Sequence, residues 1–142
     1  MKDKTMTAEI PHLFLQPDGW VPAKGYANGV LAEGRTVFTG GLVGWNARQE
    51  WEHLDMVGQF RQTLENIVAV LDVAGARPAH LVRLTWYITD KKEYQANLKE
   101  IGKAYRDVIG RHFPAMAVVQ VVALVEDEAK IEIEATAVIP NA

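Results

Sequence analysis

The stretch FPAMAVVQVVALVEDEAKIEIEATAV, residues 113–138, decides how this chain is read. From Met116 to Val125 it is free of charge, with Val118, Gln120, Val122 and Leu124 on one side of an extended backbone and Ala117, Val119 and Val121 on the other. From Lys130 to Ile139 it alternates, with Lys130, Glu132 and Glu134 interleaved with Ile131 and Ile133. Both halves read as strands, and the EDEA between them is short enough for an antiparallel connection. A strand that is apolar on both sides reads as one buried on both sides.

Upstream, YANGVLA (26–32) and RTVFTGGLV (35–43) are strand-like runs separated by Glu33-Gly34, which suggests a hairpin. Val57, Phe60, Leu64, Ile67, Val68 and Leu71 recur at helical spacing after Asp55, and Gly75 sits where such a helix should stop. HLVRLTWYIT (80–89) has the two-residue period of a strand. Asp90 then caps a second helix, whose apolar stripe runs Tyr94, Leu98, Ile101, Tyr105, Val108 and Ile109 before Gly110. The order β-β-α-β-α-β-β predicts an α+β domain with both helices on one face of a single mixed sheet.

A chain this short has no third layer to cover the second face of that sheet, so the doubly apolar strand predicts a homo-oligomer, with a cyclic trimer as one closed arrangement. For Glu132 and Glu134 two readings stay open: an edge strand with a solvated charged side, or carboxylates at a covered subunit boundary, where burial would raise their proton affinity. Arg83 alternates with apolar neighbours and would find its ion-pair partner in one of these glutamates. Trp45 and Trp51, in the polar loop GWNARQEWEH (44–53), read as interface or ligand-wall residues.

The 142 residues, 49% hydrophobic and 23% charged, fit one domain, in which residues 1–24, with Pro11, Pro17 and Pro22, read as an N-terminal arm. A net charge of −3 offers no basic field for a nucleic-acid backbone. No apolar run reaches the roughly 20 residues needed to span a bilayer, and the polar start lacks a signal-peptide core, so the expectation is a cytoplasmic protein without membrane contact. The chain has neither cysteine nor serine, which removes the two commonest nucleophiles and points to acid–base chemistry on water. His12, His53, His80 and His112 form no ligand motif, so no metal is expected.

Taken together, PAKGYANGV (22–30), VFTGGL (37–42), QTLENIVAVLDVAGA (62–76), TWYITD (85–90), YQANLKEIGKAY (94–105), FPAMAVVQVVAL (113–124) and KIEIEATAV (130–138) resemble the RidA (YjgF/YER057c/UK114) family of reactive-intermediate deaminases. The resemblance implies a chorismate-mutase-like fold and a cyclic homotrimer with ligand clefts between subunits. It also implies a site made of a tyrosine, main-chain groups near a strand-two glycine, an asparagine of the second helix, an arginine after Phe-Pro-Ala and a glutamate, which fall on Tyr26, Gly40, Asn97, Met116 and Glu132. A cysteine common two residues after the arginine falls on Val118.

Besides Val118, two further features depart from the family. Met116 stands where deaminating members grip a substrate carboxylate with arginine, and Lys24-Gly25-Tyr26-Ala27 stands where Gly-Pro-Tyr-Ser is usual. The implied function is hydrolysis of an enamine or imine, or a related water addition, on a small and more apolar metabolite than 2-aminoacrylate. Glu132 would be the catalytic carboxylate, Tyr26, Gly40, Asn97, Met116 and Val118 would line the site, and no cofactor is expected. The alternative is a trimer that binds a small molecule without turning it over.

Overall fold

The computed structural model describes residues 10–142, so the first nine residues of the expected arm lie outside the described residues. Two short strands come first, β1 (Leu13–Leu15) and β2 (Gly29–Leu31), followed by β3 (Gly34–Phe38) and β4 (Leu42–Val43). Helix α1 (Met56–Val73) starts where Asp55 accepts a 2.8 Å hydrogen bond from the Gly58 N–H and ends ahead of Gly75, whose φ of +78° suits glycine. One face buries Met56, Phe60, Leu64, Ile67 and Leu71 completely or nearly so, each contributing roughly 1.5–3 kcal/mol.

A 3₁₀ turn over Pro78–His80 leads into β5 (Leu81–Ile88). Helices α2 (Lys91–Ala96) and α3 (Leu98–Val108) occupy the stretch read from sequence as one helix. The break falls at Asn97, whose φ of −119° and ψ of 22° leave the helical region. The last strands are β6 (Ala115–Gln120) and β7 (Ile131–Pro140). Among the described residues no helix is long and apolar enough to cross a membrane.

The main sheet has the order β3-β7-β5-β6, with β4 also paired to β7, and the helices pack on one face. Pairing is antiparallel except between β5 and β6, so the sheet is mixed as expected. Two expected pairings differ. The 26–32 run does not form a hairpin with the 35–43 run: β2 pairs with β1 in a separate two-stranded ribbon, and β3 pairs with β7. At Gly34 the backbone turns so closely on Ile139 that a Cβ would overlap its carbonyl, and this contact carries the chain to the edge of β7.

The strand expected to reach Val125 stops at Gln120, and EDEA makes no hairpin, because β5 lies between β6 and β7. The reason is the α2–α3 crossover, which returns the chain parallel to β5.

Register assigns each side chain to a face. On β5, Leu84, Trp86 and Ile88 face the helices while Arg83, Thr85 and Tyr87 face away, and an irregularity between Leu81 and Arg83 lets Leu81 be buried as well. On β7, Ile131, Ile133, Ala135 and Ala137 are buried while Glu132, Glu134 and Thr136 face away. On β6, Met116 and Val118 lie opposite Leu84 and Trp86, on the helix side, at a margin the helices leave partly bare. The strand read as buried on both sides is therefore open on both, with Val118 37% and Val119 43% exposed.

Candidate functional site

The sheet edge beyond β6 holds a cleft of about 320 Å³. Its wall is built from Tyr26, Met116 and Val118, with Trp86 and Tyr94 behind and Lys24 and Gly25 at one end. Ala27 fixes the tyrosine in place: its N–H donates to the Pro114 carbonyl at 3.0 Å and it bridges Ala115, so the preceding residue sits over the edge of β6. Gly25, with φ +75°, makes the turn into this segment in the left-handed region. Met116 and Val118, two residues apart, share the cleft face.

Trp86 is 5% exposed, packs edge-on against Tyr94 at 6.2 Å, and has an indole N–H without a hydrogen-bond partner among the described residues. Burial raises the Tyr94 phenol above its ordinary range. The cleft is thus aromatic and apolar, with one cation, Lys24, among its lining residues.

Glu132 lies elsewhere. It faces away from the helices, in register with Val43 and Tyr87, and its carboxylate lies against Gly41, where an added Cβ would overlap Oε2 unless the glutamate turned aside. The contact is made by Gly41, one residue beyond the expected Gly40. Thr39 braces this turn: its hydroxyl donates to the Gly40 carbonyl at 2.8 Å and accepts from the Ala135 N–H at 2.9 Å. Beside Glu132, the Tyr87 hydroxyl donates to Glu134 at 2.7 Å, and that bond, with the adjacent carboxylate charges, raises the Tyr87 phenol.

The structure thus brings Tyr26, Met116 and Val118 together on one side of the sheet and places Glu132 with the Gly40-Gly41 turn on the other. Asn97 joins neither group. It ends α2, half-buried, with its amide donating to the Glu93 carbonyl at 2.8 Å. Trp45 and Trp51 pair with each other at 5.7 Å in a loop braced by Asn66, which donates to the carbonyls of Val43 and Trp45, and neither lines the cleft. Arg83 makes no ion pair with Glu132 or Glu134 among the described residues; Tyr87 takes Glu134 instead.

Reading the sequence missed Trp86, Tyr94 and Lys24 as cleft residues. Trp86 and Tyr94 carry the signature of core, and they are core on one side; only the parallel register of β6 on β5 reveals that their other side meets Met116 and Val118. Among the described residues, no three histidine, aspartate or glutamate side chains converge as a metal-ligating group.

Comparison with known proteins agrees with this architecture. The model of the family described as Endoribonuclease L-PSP matches residues 18–139. A RutC family protein of Pasteurella multocida is 33% identical over 105 residues, covering 74% of this chain and 81% of that protein. The 2-iminobutanoate/2-iminopropanoate deaminase of Escherichia coli K12 is 31% identical over 105 residues, covering 74% and 80%. The crystal structure of a protein of unknown function from Yersinia pestis, a member of the conserved Rid protein family, aligns with a TM-score of 0.80 at 34% identity over 91% of this chain and 99% of that one. The chain belongs to the endoribonuclease L-PSP family, the RidA or YjgF/YER057c/UK114 family that its motifs resemble.

Proposed function

We propose that this chain is a RidA-like hydrolase that converts the imine of a small metabolite with an apolar side chain into a carbonyl compound, in clefts shared between single-domain subunits of a cytoplasmic homotrimer. The observation that carries this reading is the separation of the expected site residues by the sheet. Tyr26, Met116 and Val118 lie on the helix side of its margin, and Glu132 with Gly41 lies on the opposite face. One small molecule cannot touch both groups within a single chain. A second copy that brings its Glu132 face to the β6 margin completes the set, and cyclic repetition closes it.

In that composite cleft the imine loses nitrogen by water addition. Water adds to the carbon of C=N while a proton goes to nitrogen; the tetrahedral amine then expels ammonia and leaves C=O. Glu132 orients the water and takes its proton, and returns a proton to the departing nitrogen. Tyr26 offers a phenol hydrogen bond, and the Gly40-Gly41 main chain holds the reacting end. Met116, Val118, Trp86 and Tyr94 take the side chain. Methionine supplies no charge for a carboxylate, which sets this cleft apart from one built on the arginine fork that the resemblance implies for deaminating members. The deaminase from Escherichia coli is named for 2-imino acids with short side chains; here the apolar walls favour longer ones.

The test is ammonia release from imines generated in solution from different amino acids, with the assembly measured by light scattering. Imines with leucine- or phenylalanine-type side chains should turn over faster than the alanine-derived one. Glu132→Gln should abolish turnover with the trimer intact; unchanged turnover removes Glu132 from the mechanism, and a monomer at working concentration removes the composite site. Met116 also favours a second reading, a binding trimer without chemistry, whose mark is saturable binding of the same side-chain class with no ammonia released.

A further inference from the structure

One buried imidazole lies outside the Tyr26 cleft and yet adjoins both segments that hold it. His112, three residues ahead of β6, is 4% exposed and enclosed by its own chain, so a neighbouring subunit can only bury it further. Its Nε2 lies 2.7 Å from the Leu81 carbonyl, and because a carbonyl only accepts, Nε2 carries the ring proton. That leaves Nδ1 as a bare acceptor, without a hydrogen-bond partner among the described residues. The Tyr105 hydroxyl donates to the His112 carbonyl at 2.6 Å and fixes this backbone to α3. The ring itself meets Phe14 of β1, with the ring centroids 5.6 Å apart.

Two routes lead from here to Tyr26. Phe14 pairs with Val30 on β2, and β2 starts two residues after Ala27. Pro114, two residues after His112, accepts the Ala27 N–H at 3.0 Å, the bond that seats Tyr26 at the edge of β6. The ribbon is the weaker layer, because each strand has three residues and a two-stranded ribbon is marginal without packing. Its ties to the rest of the chain include Phe14 on His112 and the His12 Nε2, which donates to the Val138 carbonyl at 2.9 Å. A second proton on His112 puts a charged N–H at Nδ1, where the described residues offer no acceptor. The neighbouring titratable groups do not offset it: His12 ahead of β1 and His80 with Arg77 from the 3₁₀ turn are all bases, and Tyr105 of α3 is a neutral phenol. Burial accordingly holds the ring below its ordinary value.

We propose that His112 is a positioning residue for Tyr26: its neutral ring seats the β1–β2 ribbon through Phe14, and its protonation releases the ribbon together with the segment that carries Tyr26 to the β6 margin. Protons bind the open form more readily than the closed one, so release grows as the pH falls below about 6.5 and reverses as it rises. Any consequence for turnover rests on the Tyr26 cleft being the site; the release does not, and its test needs no activity.

The experiment is hydrogen exchange by mass spectrometry on the assembled full-length protein at about pH 7 and about pH 5.5, corrected for the intrinsic exchange rate. Peptides spanning 12–16 and 24–31 should be less protected than α1 at both values and should lose protection together at the lower one. The loss reaches at most about eightfold, the gain that one imidazole of ordinary value gives an open form over this interval. His112→Gln keeps a neutral donor for the Leu81 carbonyl and should abolish the loss, while His80→Gln should retain it. Phe14→Ala removes the ring contact without touching the imidazole; it should lower ribbon protection at neutral pH and flatten its pH dependence, and it decides alone if His112→Gln fails to fold. Ribbon protection equal to that of α1, no fall between the two pH values, a fall that persists in the His112 and Phe14 variants, or a fall in 12–16 that leaves 24–31 unchanged would each overturn the proposal.

Discussion

A methyl group at Gly41 and one at Gly44 would meet different kinds of atoms. At Gly41 the added carbon would overlap Glu132 Oε2 and lie 2.9 Å from its Cδ and 3.2 Å from its Cγ, all near the end of a side chain that can rotate away. Turning that carboxylate out of a staggered well costs of order 0.5–1.5 kcal/mol. At Gly44 the added carbon would lie 2.5 Å from the Gln59 carbonyl oxygen and 2.7 Å from its Cα, which belong to the backbone of α1 and move only if the helix lifts off β4. Overpacking of that kind costs roughly 1–3 kcal/mol, here toward the upper end. At about 4 °C per kcal/mol for a domain this size, Gly44→Ala should lower Tm by roughly 10 °C and Gly41→Ala by about half that or less. Function should split the other way. In the proposed mechanism, moving the Glu132 carboxylate by an ångström or more would lower turnover about 100-fold, so Gly41→Ala should be folded and inactive, while Gly44→Ala keeps its activity below its lowered midpoint. Thermal unfolding and ammonia release on the same preparations decide it. A Gly41→Ala protein less stable than Gly44→Ala refutes the distinction between side-chain and backbone contact, and one with wild-type turnover refutes the placement of Glu132.

Two further outcomes follow from groups outside the cleft. His112 and His80 are buried, and burial, joined at His80 by the nearby Arg77 charge, holds both below the ordinary imidazole value of 6.5. The unfolded chain therefore takes up protons on these rings before the native one does. Stability should be full above about pH 6.5 and fall as the pH drops through that value, until the native rings protonate too; a urea midpoint that rises between pH 6.5 and 5 would contradict this. In Glu134→Gln, the Tyr87 phenol should titrate lower, toward its ordinary range, while Tyr105, raised by burial alone, stays where it was; an NMR titration of labelled tyrosine rings reads both, and an unmoved Tyr87 would show that the 2.7 Å bond is not kept in solution.

How much of this fold could be read from the sequence depends on how local the signal is. The α1 helix announces itself in Phe60, Leu64, Ile67 and Leu71 and in Asp55 and Gly75, because each acts within a few residues of its neighbours. The alternation of β5 and β7 likewise gives the correct faces for Trp86, Ile88, Glu132 and Glu134. Strand pairing is not local. Glu33-Gly34 has the composition of a hairpin turn, yet the energy that matters is the pairing of β3 with the C-terminal half of β7, from Gly34 opposite Pro140 to Phe38 opposite Thr136. The same holds for EDEA, whose length permits a hairpin that the insertion of β5 forbids.

Candidate site residues can be named from the sequence, but their arrangement cannot. Tyr26, Met116, Val118 and Glu132 were each singled out from sequence, and the resemblance implied clefts between subunits; within one chain β5 separates β6, which carries Met116 and Val118, from β7, which carries Glu132 on the opposite face. That separation changes the meaning of the doubly apolar strand. Within this chain Met116 to Val119 are open to water on both sides, and the neighbouring subunit of the proposed trimer is what would cover their apolar surface. In the proposed trimer the polar face of β5 and β7 would meet the same neighbour, and Thr85, Tyr87, Glu132, Glu134 and Thr136 make it a surface of hydroxyls and carboxylates suited to a wet contact. The proposed hydrolysis needs its water held at such a boundary, and of the two carboxylates on this face Glu132 is the one left for it, since Glu134 is already engaged by Tyr87.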